Sequence, residues 1–165
     1  MGTTSRNFDW PGGALVAAGT LGALVLGGLL SPGSDDPWYA ALRKAPLNPP
    51  DIAFAVIWPL LFLLMLAGGL LVLHEAGSFK RASAAMGLYF TMLAANVCWS
   101  LFFFGFRDPG IALGVLAALW LLIATMMLRF AAHSPRAALL QVPYILWVTF
   151  AAYLNIAVLV LNPAS

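Results

Sequence analysis

The stretch IAFAVIWPLLFLLMLAGGLLVL, residues 52–73, contains no Asp, Glu, Lys, Arg or His and decides the fold. Four more such windows lie at 10–34, 82–106, 109–128 and 137–165. A helix of about 20 residues, rising 1.5 Å per residue, crosses roughly 30 Å of hydrocarbon. None of the windows shows the alternating polarity of a barrel strand. We therefore predict an all-α, polytopic membrane protein with a five-transmembrane-helix bundle.

The predicted bundle forms a single domain over residues 1–165. Its five helices are expected at about 11–30, 52–73, 82–106, 109–128 and 137–161, and a lid loop at 31–51. The apolar part of the first window, Pro11 to Leu30, is longer than the core of a signal peptide. No Ala-x-Ala-like site follows it, so we expect a retained helix.

Composition agrees with a membrane protein and excludes several other classes. Hydrophobic residues make up 62% and charged residues 8% of the chain, against about 25% charged in soluble domains. A net charge of +2 is too small to predict nucleic-acid binding. Cys98 is the single cysteine, and His74 and His133 lie at helix ends without a ligand cluster, so no metal site is predicted.

The basic residues predict an orientation. One side carries Arg6, Lys80, Arg81, Arg129 and Arg136, and the other carries Arg43, Lys44 and Arg107. Because positive charge is commoner in cytoplasmic loops, the N-terminus is predicted to be cytoplasmic. We expect a bacterial cell membrane, with an outer membrane as the alternative.

The connection at 31–51 is much longer than the others and is predicted to cover the bundle. Prolines at 46, 49 and 50 prevent a long helix there. The segment 38–43 has room for one or two helical turns. Because long loops in compact proteins are usually functional or disordered, and this one carries aromatic residues and prolines, we predict an ordered lid.

Three of the helices carry aromatic and amide side chains at helical spacing. These stripes are Phe54, Trp58, Phe62 and Met65; Tyr89, Met92, Asn96, Trp99 and Phe103; and Tyr144, Trp147, Ala151 and Asn155. Core packing explains any single stripe. Trp58, Trp99 and Asn155, however, lie about 10 Å below the lid end, too deep for headgroup anchors. Together they predict a pocket for a flat, mostly apolar ligand.

The helices lack charged groups and catalytic motifs. Charged side chains within membranes mark ion and proton paths, so their absence argues against a pump or a carboxylate-coupled transporter. The sequence has no nucleotide-binding loop and no nucleophile elbow. Small residues every four positions, such as Gly19, Ala23 and Gly27, allow either intramolecular packing or self-association.

Four motifs in register resemble the family of tryptophan-rich sensory proteins and translocator proteins (peripheral benzodiazepine receptors). The motifs are Trp38-Tyr39-x-x-Leu42-x-Lys44; Asn48-Pro49-Pro50-x-x-x-Phe54-x-x-x-Trp58; Asn96-x-x-Trp99-x-x-x-Phe103-Phe104-Gly105; and Pro143-Tyr144-x-x-Trp147 with Leu154-Asn155. The resemblance covers roughly residues 10–162. Departures from the family pattern are Ala45 in place of proline, Leu47 and Ile52 in place of aromatics, and Met92 in place of glutamine.

The resemblance implies a homodimeric five-helix bundle whose pocket binds porphyrins such as protoporphyrin IX or haem. No cofactor is required, and the partners would be the planar ligand and the lipid bilayer. By motif position the ligand contacts fall on Tyr39, Asn48, Trp58, Phe62, Asn96, Trp99, Phe103, Trp147 and Ala151. Trp38 in the lid and Asn155 complete the candidate set.

The predicted function is a membrane receptor or sensor with a regulatory or stress-related role in tetrapyrrole metabolism. Lys44 or Arg43 would pair with a ligand propionate, or alternatively extend to the membrane interface. The alternatives are a carrier that moves porphyrin or sterol, and a light-dependent porphyrin-degrading protein with Trp147 as its candidate catalytic residue. No basic residue follows Arg136, so the cholesterol-recognition pattern of helix 5 is absent.

Overall fold

A computed structural model describes residues 8–163 of the protein. Its helices are α1 (Trp10–Leu30), α2 (Pro37–Ala41), α3 (Asp51–Ala76), α4 (Ser83–Ser100), α5 (Pro109–His133), α6 (Pro135–Leu139) and α7 (Val142–Leu161). A 3-10 turn at Gly33–Asp35 precedes α2, and a π-helical turn at Leu101–Gly105 prolongs α4. Residues 8–163 contain no strand. Five helical segments are long and apolar enough to cross a membrane, which confirms the predicted fold class.

The helix ends differ from the predicted ones because charges mark the edge of hydrocarbon, not the end of a helix. α5 continues past the predicted residue 128 to His133, and α3 extends to Ala76, where Gly77 ends it in the left-handed conformation (φ 76°). The predicted fifth helix is interrupted between α6 and α7. Pro143, in the first turn of α7, has no N–H to donate to the preceding turn, so the helix restarts there.

Aspartates cap two of the long helices. Asp9 accepts hydrogen bonds from the Gly12 N–H (3.0 Å) and from the Phe79 N–H (2.6 Å), which ties the start of α1 to the α3–α4 connection. These two backbone donors hold the pKa of the Asp9 carboxyl below its ordinary value, and the Gly12 N–H has the larger effect. Asp108 caps α5 through the Ile111 N–H at 2.9 Å. Both caps supply acceptors for N–H groups that have no partner within the helix.

The half of the bundle nearer Asp9, here called the N-terminal half, has a closely packed core. Tyr89 is fully buried and stacks on Phe130, with ring centroids 6.1 Å apart. The Thr20 hydroxyl donates to the Val16 carbonyl at 2.6 Å, so its oxygen accepts from the Tyr89 hydroxyl, also at 2.6 Å. Tyr89 and Met92 are thus core residues and do not extend the pocket predicted from their stripe.

The opposite half, here called the lid half, is more open. α4 packs along α5, and α5 along α7, whereas the backbones of α3 and α7 approach each other at few points. α1 contacts both α3 and α4. A space therefore remains between α3 and α7 beneath the segment 31–50, here called the lid.

Gly68 permits the close approach of α3 to the break between α6 and α7. A Cβ at this position would overlap Gln141 Nε2 and lie 3.1 Å from the Ala137 carbonyl oxygen. Gln141 is fully buried, and its Nε2 faces the carbonyl oxygens of Ala137 (3.3 Å) and Leu64 (3.5 Å). The side chain therefore has little room to move aside.

We expect Gly68→Ala to destabilise the protein by about 1–3 kcal/mol, as overpacking of a filled core does. The matched control is Gly22→Ala on α1, because nothing lies within 4 Å of a Cβ there. Thermal unfolding in one detergent would compare the two variants. Equal melting temperatures would contradict the close contact with Gln141.

Candidate functional site

A cavity of about 450 Å³ lies between α1, α3, α4 and α7 beneath the lid. Its volume falls in the range of roughly 300–1,000 Å³ that is usual for small-molecule sites. It is lined by all of the candidate residues except Trp38, namely Tyr39, Asn48, Trp58, Phe62, Asn96, Trp99, Phe103, Trp147, Ala151 and Asn155. The structure therefore brings together residues from the lid and three helices.

Trp38 lies outside the cavity and supports its wall from behind. Its ring meets Phe103 edge-on at 5.9 Å, and the Arg107 guanidinium lies 5.9 Å from its centroid. Because Asp36 caps α2 through the Trp38 N–H (2.9 Å), the short helix directs Tyr39 inward and Trp38 towards Arg107. Trp38 therefore contacts the cavity wall through Phe103.

Trp58 is at the centre of the aromatic wall. Its ring centroid lies 6.4 Å from those of Trp99 and Trp147, 6.2 Å from Phe62 and 6.5 Å from Tyr144. Phe62 follows Trp58 by four residues on one face of α3, so periodicity alone places the two together. The contacts to α4 and α7 give one continuous aromatic surface, with Tyr144 forming part of the layer beneath it.

Buried amides fix the positions of the rings. Asn155 accepts from Trp99 Nε1–H at 3.2 Å and donates to the Pro109 carbonyl at 2.8 Å. Asn96 Nδ2 donates to the Tyr144 hydroxyl at 2.9 Å. Within residues 8–163, no acceptor meets the buried Nε1–H of Trp147. Unpaired amides are costly in hydrocarbon, which explains why both asparagines face inward and are paired.

The π-helical turn that follows α4 adds a residue the sequence pattern missed. The Phe106 N–H donates to the Leu101 carbonyl at 2.9 Å, five residues back. Phe103 and its neighbour Phe104 both line the cavity, and their centroids are 4.9 Å apart. A regular α-helical spacing predicts only Phe103. Single π turns are often found at functional sites, and Gly105 was the available signal for irregular backbone here.

α1 also lines the cavity, although it carries none of the aromatic and amide stripes from which the pocket is predicted. Leu24, Gly27, Gly28 and Ser31 contribute to its wall. The Ser31 hydroxyl donates to Ser100 Oγ at 3.0 Å, joining α1 to α4. The α1 wall is not closely packed, because nothing lies within 4 Å of a Cβ at Gly28 and the nearest atom to a Cβ at Gly27 is 3.9 Å away.

In addition to the Ser31–Ser100 bond, polar contacts at three points attach the lid to the bundle. Asp36 forms an ion pair with Arg107 at 3.3 Å, and Arg107 adopts a left-handed backbone conformation (φ 54°). Asn162 pairs with the Arg43 backbone, accepting from its N–H and donating to its carbonyl at 3.0 Å each. Asp51 accepts from the Ser34 N–H at 2.9 Å. The predicted lid thus packs on the helices.

The expected contact between Lys44 or Arg43 and a ligand propionate stays a prediction. Lys44 Nζ donates to the Tyr39 carbonyl at 2.7 Å and lies 4.5 Å from the Tyr39 ring centroid. Neither basic side chain lines the cavity, whereas Asp35 and Asp51 do. Burial raises the pKa of the Tyr39 hydroxyl, and the negative charge of Asp51 raises it further. A hydrogen bond with Asn48 acts in the opposite direction and lowers this pKa.

Replacing Asn155 with leucine should destabilise the protein by about 1–3 kcal/mol for each group left without a partner. The buried group that loses its partner is the Trp99 indole N–H. Thr149→Val is the matched control, since it removes an exposed indole–hydroxyl bond to Trp120 (2.9 Å). Thermal unfolding would measure both. If Thr149→Val lowered the melting temperature as much as Asn155→Leu does, the buried amide would have no special role in stability.

Comparison with known proteins agrees with this architecture. The model of the TspO/MBR family matches residues 14–161. The chain is 39% identical to the tryptophan-rich protein TspO of Chlorobaculum tepidum, over 76% of this chain and 80% of that protein. It is 34% identical to the tryptophan-rich sensory protein of Cereibacter sphaeroides over 94% of both chains, and 40% identical to the translocator protein of Ovis aries over 72% and 70% respectively. The chain therefore belongs to the TspO/MBR family of tryptophan-rich sensory and translocator proteins.

Proposed function

We propose that this protein is a membrane receptor or sensor that binds a planar, largely apolar ligand of the tetrapyrrole class. Protoporphyrin IX and haem are the representative ligands, and the proposed role is regulatory or stress-related within tetrapyrrole metabolism. The observation that carries the proposal is the aromatic wall around Trp58. A flat macrocycle gains affinity by stacking on indole rings while its edge meets a few polar groups.

The chemistry of the wall supports binding more than catalysis. The cavity is lined by aromatic, aliphatic and amide side chains, and its charged groups, Asp35 and Asp51, lie at the lid end. Among the described residues, no group of three His, Cys, Asp or Glu side chains could hold a metal ion. Light-dependent breakdown of a bound porphyrin remains the enzymatic alternative, in which Trp147 would be the first indole to test.

The carrier alternative is favoured by a different observation. Gly28 on α1 and Ala55 and Pro59 on α3 line the cavity and are exposed. The cavity thus communicates with the lipid-facing side between these two helices, a path that a membrane-dissolved ligand could use. Movement of porphyrin across reconstituted vesicles is the measurement that separates a carrier from a receptor.

Titration with protoporphyrin IX, followed by porphyrin fluorescence, tests the receptor proposal. We expect saturable binding that weakens about threefold to tenfold in Trp99→Phe and in Trp147→Phe, because each loses part of its stacking surface. Trp120→Phe is the matched control, since Trp120 is exposed on the outer face of α5 and does not line the cavity. Absence of saturable binding, or equal effects at all three positions, would refute the proposal.

We also propose that two copies associate through α4, in a bacterial cell membrane with the N-terminus in the cytoplasm. Ser83, Gly87 and Thr91 follow one another at four-residue intervals on an exposed face, and nothing lies within 4 Å of a Cβ at Gly87. Small residues allow two helices to approach closely within a membrane. Cys98 is exposed eleven residues after Gly87, which is three helical turns and therefore the same face.

Oxidation of membranes that contain the protein tests this dimer. We expect a disulfide-linked dimer through Cys98, the single cysteine of the chain. Gly87→Leu should reduce cross-linking by separating the helices, whereas Gly114→Leu on α5 should not. Undiminished cross-linking in Gly87→Leu would exclude this face as the dimer contact.

A further inference from the structure

A second, open groove lies between the first turns of α1 and the last turns of α3. It is in the N-terminal half and shares no lining residue with the cavity beneath the lid. We propose that this groove binds one acyl chain of an anionic phospholipid, and that the basic α3–α4 connection attracts the phosphate of the same molecule. The proposal is independent of the proposed function, because the two sites are separate.

The floor of the groove is made of small residues. Gly13, Ala14 and Ala17 belong to one face of α1, and Ala67 lies across the groove on α3. Ala14 and Ala67 are exposed, so no described side chain covers the groove at these two points. Because small side chains leave a depression between the two helices, a flexible methylene chain can lie in it and make dispersion contacts with both.

Aromatic rings close the groove at one end. The Phe8 ring meets Trp10 edge-on, with centroids 5.1 Å apart, and its centroid lies 6.5 Å from that of His74. Trp10 is the first residue of α1 and His74 lies in the last turn of α3, which places this end at the membrane surface, where tryptophan is enriched. Ala17 and Ala67 lie about 10 Å deeper along their helices. The groove therefore begins at the headgroup level and runs into the hydrocarbon.

The α3–α4 connection brings basic side chains to the same end. The Phe79 N–H donates to Asp9 Oδ2 at 2.6 Å, so this connection lies beside the start of α1. Lys80 and Arg81 follow Phe79 in the chain and are exposed. Basic residues beside a membrane surface attract anionic lipid headgroups. The indole and imidazole N–H groups at the closed end of the groove are the kind of donors that phosphate oxygens accept.

The acidic residues at this end reduce the attraction without cancelling it. Asp9 already accepts two backbone N–H groups, and Glu75 is exposed near the end of α3. Arg129 and Arg136 lie at the same end of the bundle, so within residues 8–163 four basic residues stand against two acidic ones. The charge of this end therefore favours an anionic headgroup over a zwitterionic one.

Native mass spectrometry of the full chain, released from detergent, tests the proposal. The probes are phosphatidylglycerol and phosphatidylcholine with identical oleoyl chains, so they differ only in the headgroup. Ala14→Leu and Ala67→Leu each fill the groove, and Ala117→Leu is the matched control, because Ala117 is exposed on α5 and does not line the groove. Lys80→Gln combined with Arg81→Gln removes the charge. Since the substituted side chains are exposed, we expect all variants to fold, and thermal unfolding checks this.

We expect one phosphatidylglycerol per chain, bound about fivefold to twentyfold more tightly than phosphatidylcholine, because each basic residue at a membrane surface adds roughly fivefold. Each groove-filling variant should weaken both lipids about threefold to tenfold, and Ala117→Leu should change them less than twofold. The charge variant should lose the preference for phosphatidylglycerol and keep the affinity for phosphatidylcholine.

Equal affinities of the wild type for the two lipids, or undiminished binding in both groove-filling variants, would overturn the proposal. A lipid-free dimer that dissociates in those variants would assign the groove to a second copy of the chain and would also overturn it. Protoporphyrin IX titrated into the same variants should bind as it does to the wild type. Failure of lipid binding is therefore distinguishable from failure of the proposed function.

Discussion

The structure depends on one constraint: a polar group inside hydrocarbon must find its partner within the protein. Helices meet this requirement for the backbone, and the five apolar segments follow from it. The same requirement positions the side chains that join the helices. Thr20 and Tyr89 join α1 to α4, Asn96 and Tyr144 join α4 to α7, and Asn155 joins the Trp99 ring to the start of α5. The polar bonds therefore determine which rings face one another.

The cavity results from unequal packing of the two halves. In the N-terminal half, Gly68 and Gly69 let α3 approach its neighbours, and a Cβ at Gly69 would lie 3.0 Å from a Val16 methyl and 3.4 Å from the Tyr89 ring. In the lid half, the Ser31–Ser100 bond joins the end of α1 to α4, while α3 begins at Asp51 beside the lid and its backbone approaches that of α7 at few points. Bulky rings such as Trp58 line the resulting space without filling it. The site is thus a consequence of where the small residues lie.

The fold and much of the aromatic wall could be predicted from the sequence, for definite reasons. Runs without charge identify membrane helices, and a period of three or four residues identifies a shared face. In the structure, Trp58, Phe62, Trp99 and Asn155 line one cavity. Phe104 could not be predicted, because the π turn changes the direction of residues after Leu101 and depends on tertiary packing. The sequence pattern does not predict Asp51 as a lining residue, because a charge-free window ends at the nearest acidic residue and Asp51 only marks that end. In the structure that boundary is also the rim of the cavity.

The position of the charges has a physical logic that links fold and recognition. A fixed charge deep among the rings would need a partner or would lose its ionised form, so the charge-free helices leave only the rim for ionic recognition. At the rim, water is near, the lid supplies backbone donors such as the Ser34 N–H, and a carboxylate can stay hydrated while it faces the cavity. The wall of the cavity is therefore aromatic, and its ionisable side chains, Asp35 and Asp51, lie at the entrance.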